Sequence, residues 1–373
     1  MAIYDVIVAG IGVHGSAACW HLARRGLRVL GLDRFDIPNA RGSSHGVNRI
    51  IRLAYFEHPA YVPLARRAYE LWRETERGCG EQLLFVTGGI DAGRANSDVV
   101  KGSLLACRMH GLRHEVLDAK ALHGRFPGFS WPADFVGVFQ PDGGFLACEA
   151  SVAAQTGLAR KEGADVHPNE PMLKWEQTRR GVRVTTERGS YEAGQLVVSS
   201  GAWIGDSIPA LSHIAKLERQ VLAWFEPKDP KLFALDNFPI SILQTDEGIP
   251  YQFPIWGRPG FKIGIYNHLK ETGDLKAVSR APDVRDEAFL RSFVEKYFPK
   301  AAGRTLAMET CIFTNMPDRH FVLDRLPGAE NVIVASPCSG HGFKFAPVIG
   351  EAVADLVAGK TRLDLALFSA SRF

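Results

Sequence analysis

Residues 5–33 read DVIVAGIGVHGSAACWHLARRGLRVLGLD, and no other stretch constrains the fold as tightly. The apolar run at 6–9 has the length of a buried parallel strand. Gly10, Gly12 and Gly15 follow at GxGxxG spacing. Val13, Ala17, Cys19, Trp20, Leu22 and Ala23 then recur at helical intervals, and Gly26 closes that helix. A second apolar run, 27–32, ends in Asp33, an acid about 20 residues beyond the first glycine. Each part has a physical role in holding a dinucleotide. Gly10 permits a tight turn, Gly12 lets backbone approach a pyrophosphate, and Gly15 lets helix and strand pack closely. The helix start, with Val13 and His14 in its first turn, offers unpaired N–H groups and partial positive charge to phosphates. Asp33 accepts hydrogen bonds from ribose hydroxyls, and its charge argues against a 2′-phosphate. The motif leaves NAD and FAD both open.

At 373 residues the chain has room for two domains and an ample core. A charged content of 23% and a net charge of +3, with no basic tract, speak against a nucleic-acid partner. No run of about 18 apolar residues exists, so no membrane span is expected. The first apolar run carries the nucleotide glycines, which makes it a strand rather than a signal peptide. The cysteines at 19, 79, 107, 148, 311 and 338 are scattered, as suits reduced thiols in the cytoplasm. No His/Cys cluster has ligand spacing, so no metal is expected. The C-terminal Ser371-Arg372-Phe373 is not a clean peroxisomal address.

Further along, a Gly/Ser/Pro-rich loop at 35–48 is expected at the surface or lining a site. Arg49 and Arg52 lie three apart and would share one face of a helical turn, where with Glu57 they suit an anion site. Residues 61–77 predict an amphipathic helix, 83–90 a strand with a turn, and 96–125 one or two helices. Residues 135–148 predict a hairpin-like strand and turn, and 148–163 another helix. Short strands follow, with a hairpin at Arg188-Gly189 and a separate buried strand from 195 that ends in Ser-Gly-Ala-Trp (200–203). From 215 to 313 alternating strands dominate, with one amphipathic helix near 283–298. Residues 331–359 repeat the strand, glycine loop and helix scheme, which favours a discontinuous cofactor domain and the longer cofactor, FAD.

Four stretches then carry a resemblance over essentially the whole length: GIGVHG with Asp33, GSSHGVNRIIRLAY (42–55), TCIFTNMPDRHFVLD (310–324) and SGHGFKF (339–345). Through them the chain resembles the monomeric sarcosine oxidase and N-methyltryptophan oxidase family, flavoprotein amine oxidases of the D-amino-acid-oxidase-like superfamily. The resemblance implies an α/β plus α+β architecture. A Rossmann-like, p-hydroxybenzoate-hydroxylase-like FAD domain would take 1–85, 140–214 and 314–373, and an antiparallel-sheet substrate domain 86–139 and 215–313. It also implies FAD joined covalently to Cys311, although composition alone would make Cys311 an inert buried thiol. Cofactor contacts would come from Gly10, Gly12, Val13, His14, Gly15, Asp33, Arg34, Ser43, Ser44, His45, Arg49, Ile50, Gly201, Trp203, Gly340, Gly342, Phe343 and Lys344.

By the same resemblance, Arg52 and Lys344 look like the pair that grips a substrate carboxylate. Arg49 matches the basic residue against the flavin face, and Tyr251 an aromatic pocket wall. Lys262 matches the lysine that promotes reaction with oxygen, a fixed cation that stabilises superoxide as the electron arrives. The chain departs from the pattern at several places. Tyr266 stands where a histidine is usual, and His268 is the candidate to replace it from a shifted register. Phe313 replaces a tyrosine, Asn48 a threonine, and Pro337 and Cys338 a glycine and an aromatic. The first two changes remove polar groups from the pocket and argue against sarcosine itself. The expected activity is oxidation of a carboxylate-bearing secondary amine by hydride transfer to flavin N5. That leaves an imine, and O2 reoxidises the flavin and is itself reduced to H2O2. The protein is expected to be a monomer whose partners are the amine and O2. Alternatives are a cyclic imino acid (pipecolate-like) or fructosyl-amine oxidase, a dehydrogenase using another acceptor, or a flavin-binding redox sensor.

Overall fold

The computed structural model describes residues 3–360 and 362–373. Its first strand, Ile3–Ala9, lies inside an eight-stranded sheet, with Val6, Ile7 and Val8 wholly buried. A strand apolar on both faces needs neighbours on both edges and cover above and below. It pairs in parallel with Val29–Leu32 and with Gly189–Val198, and Asp165–His167 and Ala329–Ser336 extend the parallel set. Lys174–Thr178, Gly181–Thr186 and Val322–Leu326 join antiparallel at the margins. The helix Val13–Ala23 leaves the first strand through the glycine turn and is buried along its length. The last helix, Ala346–Val357, packs so close to it that a Cβ on Gly350 would fall 2.6 Å from the Ala17 backbone.

A nine-stranded sheet is assembled from two separate parts of the chain. Gly89–Arg94, Glu115–Asp118 and Phe135–Gln140 supply one part. Lys216–Phe225, Ile240–Gln244, Ile249–Phe253, Phe261–Tyr266, Thr272–Gly273 and Thr305–Asn315 supply the other. The pairing is antiparallel except where Gly89–Arg94 runs parallel to Ile240–Gln244. Along Lys216–Phe225 the side chains alternate as a strand requires. Val221, Ala223 and Phe225 pack towards the helix Val284–Tyr297, whereas Leu222 and Trp224 join Tyr251 and Phe253 on the opposite face. A three-stranded sheet, Asn48–Ile51, Gly144–Ala147 and Leu84–Val86, links the two halves. It sends Leu146 into the core around the first helix and Phe145 into the core under the large sheet.

Four expectations from the sequence are corrected here. Arg49 and Arg52 do not share a helical face: residues 48–51 form a strand paired with 144–147, favoured by the β-branched Ile50 and Ile51. Arg52 lies one residue past the end of that strand and packs on Tyr55 and Phe56, whereas Arg49 reaches Cys311. Residues 135–148 are not a hairpin, since Phe135–Gln140 joins the large sheet and Gly144–Ala147 the small one. The buried strand expected from 195 is the second half of one long strand, Gly189–Val198. Between the helices Asp98–His110 and Ala119–Arg125 lies a short edge strand, Glu115–Asp118, which periodicity missed.

Among the described residues, no helix is long and apolar enough to cross a membrane, and no group of three or more His, Cys, Asp or Glu could hold a metal ion. All six cysteines are free.

Candidate active site

The glycine turn has the geometry a dinucleotide needs. Gly10 sits at φ 94°, and a Cβ there would lie 2.7 Å from the Ser199 carbonyl oxygen. At Gly15 a Cβ would meet the Gly10 carbonyl oxygen at 1.8 Å, so only glycine lets the helix start this close to the strand. No side chain of the N-cap residue caps this helix, and Val13 N–H donates to Ser44 Oγ at 3.1 Å. Asp33 accepts from the Ile11 and Phe35 amides at 2.6 and 2.8 Å, while burial raises its pKa.

From this turn a cavity of about 1630 Å³, its mouth included, runs to the SGHGFKF loop. Gly10, Gly12, Val13, His14, Asp33, Arg34, Ser43, Ser44, Gly201 and Trp203 line one end. Arg49, Ile50, Tyr251, Tyr266, Phe313, Gly340, Gly342, Phe343 and Lys344 line the rest. Three polar atoms on lining residues, His14 Nδ1, Ser200 Oγ and Thr314 Oγ1, are buried without a partner in the chain. Buried polar groups are almost always paired, so these atoms fit a wall completed by a polar ligand. Burial pushes His14 down to about 3, which leaves a neutral ring there.

Behind this wall Arg49 donates from Nη2 to Cys311 Sγ at 3.4 Å. Cys311 is placed by its register with Gln220 on Lys216–Phe225, and the Ser43 hydroxyl donates to the neighbouring Ile312 carbonyl. Lys262 pairs with Trp224 across the sheet, which turns its side chain towards the loop at 46–48.

At its far end the wall carries Lys344, and behind it, off the lining itself, lies a buried cluster of charge around Arg52. Arg52 is 3% exposed, with its guanidinium carbon 4.5 and 4.4 Å from the ring centroids of Tyr55 and Phe56. Its Nη2 donates to both Glu57 oxygens at 2.9 and 2.7 Å, and Nη1 lies 3.7 Å from Asp91 Oδ2. Lys344 Nζ donates to the His341 carbonyl at 2.7 Å and sits 5.2 Å from the Tyr55 ring. The two cations therefore converge on Tyr55. Burial, with Arg52 nearby, pushes Lys344 down to about 7. Burial raises Asp91 to about 6 against the pull of Arg52 and of Ser103, whose hydroxyl donates to it at 2.6 Å. Burial works against the Glu57 carboxylate, but Arg52, His341 and Lys344 together outweigh it and keep Glu57 below the ordinary glutamate value.

Three expected site residues lie elsewhere. His268 is fully buried against Asp286, Nε2 to Oδ1 at 2.8 Å, in the ion cluster that Arg219 completes at the start of Val284–Tyr297. Asn267 adopts φ 57°, and that left-handed step turns His268 away from the cavity. His45 is buried 3.7 Å from Glu309 and is not on the wall. Gly15 shapes the turn from behind. Sequence reasoning missed Asp91, Tyr55 and His341, whose Nδ1 lies 2.6 Å from the Tyr55 hydroxyl. Asp91 did carry a signal, a lone acid in a run of small and apolar residues at 88–93.

Fold and cavity together define a dinucleotide-dependent oxidoreductase. The profile of the FAD dependent oxidoreductase family matches residues 5–356, and the chain belongs to that family. It is 42% identical to a monomeric sarcosine oxidase of Streptomyces avermitilis, over 99% of this chain and 97% of that protein. It is 35% identical to an N-methyl-L-tryptophan oxidase of Salmonella typhimurium, over 99% of each. Among solved structures, the open form of NikD, described as an unusual amino acid oxidase essential for nikkomycin biosynthesis, superposes with a TM-score of 0.85. That alignment has 26% identity and covers 99% of this chain and 98% of NikD.

Proposed function

We propose that this protein oxidises a carboxylate-bearing secondary amine, an N-methyl amino acid or related imino acid, with FAD as cofactor and O2 as acceptor. The observation that carries this reading is the pair Arg52 and Lys344, brought together on Tyr55 beside an aromatic wall. The residues fit FAD: the Gly10–Gly15 turn would take the pyrophosphate, Asp33 the ribose, and the Gly340–Lys344 loop the flavin end. Held there by these residues, FAD would supply the acceptor for a hydride equivalent from the carbon beside the amine, leaving an imine, and a route for the two electrons to O2, which would become H2O2. Cys311 is proposed as the covalent attachment point. Wild-type flavin should stay with acid-precipitated protein and wash free from Cys311→Ala.

The chain's own part is placement. Arg52 turns from Glu57 to the substrate carboxylate, Lys344 adds a second contact, and a fixed carboxylate makes the transfer effectively intramolecular. Tyr251, Tyr266 and Phe313 surround the amine and exclude water. Their apolar faces suit an N-alkyl amine bulkier than sarcosine. The cofactor role is assigned to 1–85, 140–214 and 314–373, and the substrate role to 86–139 and 215–313. The reading takes the protein as a monomer in a reducing cytoplasm, with its cysteines outside any disulfide.

The test is anaerobic bleaching of the flavin by a panel of sarcosine, N-methyl-L-tryptophan, pipecolate, proline and a fructosyl amino acid. Bleaching by N-methyl or cyclic imino acids is the expected result. No bleaching by any carboxylate-bearing amine refutes the reading. A second reading, electron transfer to an acceptor other than O2, is favoured by the surroundings of Lys262 alone.

A further inference from the structure

Asn48 lies on the strand that carries Arg49, and its side chain turns away from the cavity. Its Oδ1 accepts from the Lys262 ammonium at 2.7 Å. The Asn48 and Gly46 carbonyls accept from the same nitrogen, also at 2.7 Å each. An ammonium has three hydrogens, and all three are spent inside the chain. The Phe253 ring centroid lies 4.2 Å from that nitrogen and the Trp224 centroid 5.6 Å, and Lys262 is 1% exposed. The cation is enclosed by three oxygens and two aromatic faces.

We propose that Asn48 is a positioning residue that holds Lys262 closed and thereby slows the reaction of the reduced cofactor with O2. The proposal rests on the reading that FAD fills the cavity. In that reaction O2 takes two electrons and one proton from the reduced cofactor and one proton from water, giving H2O2 and oxidised FAD. A nearby cation speeds it by meeting the negative charge that develops on oxygen, and a donated hydrogen is the strongest way to do so. The enclosed ammonium has no hydrogen to give, and three negative oxygen ends face it. A threonine hydroxyl, one bond shorter than the asparagine amide, releases the third hydrogen. Burial and the Arg49 guanidinium already push the Lys262 ammonium below its ordinary pKa. The oxygen cage therefore offsets a real cost of keeping charge there, and Asn48 supplies one of its three contacts.

The experiment uses flavin-loaded wild type, Asn48→Thr, Asn48→Ala and Asn48→Asp. Each is reduced anaerobically with dithionite and mixed with oxygenated buffer, and the visible absorbance is followed. Asn48→Thr and Asn48→Ala are expected to reoxidise about tenfold faster than wild type. Asn48→Asp keeps the acceptor and is expected to be no faster. Bromide is then titrated into the oxidised proteins. A freed ammonium binds the halide and shifts the visible spectrum of the Thr and Ala variants, whereas wild type stays silent. Reoxidation no faster in either variant, or faster without the bromide response, overturns the proposal. Dithionite removes any dependence on the amine, so failure here leaves the substrate reading untouched. A protein that carries no FAD fails that reading and this proposal together.

Discussion

Asp91→Asn removes one of the two carboxylates that face Arg52, and the consequence is calculable. Asp91 Oδ2 lies 3.7 Å from the Arg52 guanidinium. A ligand carboxylate on the far side of that guanidinium would sit about 7 Å from Asp91. Two unit charges at that distance repel by about 2.4 kcal/mol at an effective dielectric of 20 and about 0.6 kcal/mol in water. A middle value near 1.4 kcal/mol corresponds to about tenfold in affinity. The assay is titration of propionate, a carboxylate with no oxidisable amine, into the flavin-loaded protein, read from the visible spectrum between pH 5 and about 8. Lys344, at about 7, gains its proton as pH falls, and Asp91, at about 6, then loses its charge. Both changes favour an anion, so wild-type binding should tighten in two steps. Glu57 is held below the ordinary range, and burial keeps His341 near 4, so neither titrates in this window. In Asp91→Asn, binding at pH 8 should be about tenfold tighter. Only the step from Lys344 should remain, moved slightly down because Asp91 no longer supports the ammonium. Equal affinity at pH 8, or two surviving steps, refutes the reasoning.

The same substitution should act on apoprotein stability. Asp91 is raised to about 6, so its unfavourable charge is absent below the unfolded value of about 4 and complete above 6. Asp91→Asn should therefore stabilise the apoprotein by about 2–3 kcal/mol at pH 8 and hardly at all at pH 4, by denaturant melts. Gly15→Ala should give a protein that purifies without flavin, because its Cβ would fall 1.8 Å from the Gly10 carbonyl oxygen. His268→Gln should cost about 1–3 kcal/mol in stability and leave KM for the amine unchanged, since His268 serves Asp286 and not the cavity.

The first thirty-odd residues were legible because each signal there is local. Strand, turn, helix and acid lie within one short span, and the glycine positions follow from backbone sterics alone. The loop at 35–48, the long helix from Tyr61 and the closing strand, glycine loop and helix were legible for the same reason. Pairing partners were not. Nothing within Gly89–Arg94 announces a parallel neighbour some 150 residues later, because that contact is made by burial of both strands in one core. Four residues are too few to distinguish strand from helical turn by periodicity, which is why the relation between Arg49 and Arg52 was misread. The placement of His268 hangs on one left-handed residue, Asn267, and such steps at non-glycine residues leave little trace in sequence. Asp91 became meaningful only when the fold placed it against Arg52.

The close packing of the last helix on the first also sets an order of events in synthesis. Gly350 meets Ala17 at the end of the chain, and the Gly340–Lys344 loop closes the cavity that Gly10 opens. When the ribosome has made the fingerprint, the strand Ala329–Ser336 and the helix that completes the cradle do not yet exist. The cavity therefore gains its last wall only when residues 340–344 have been made, some 330 residues after the turn that opens it.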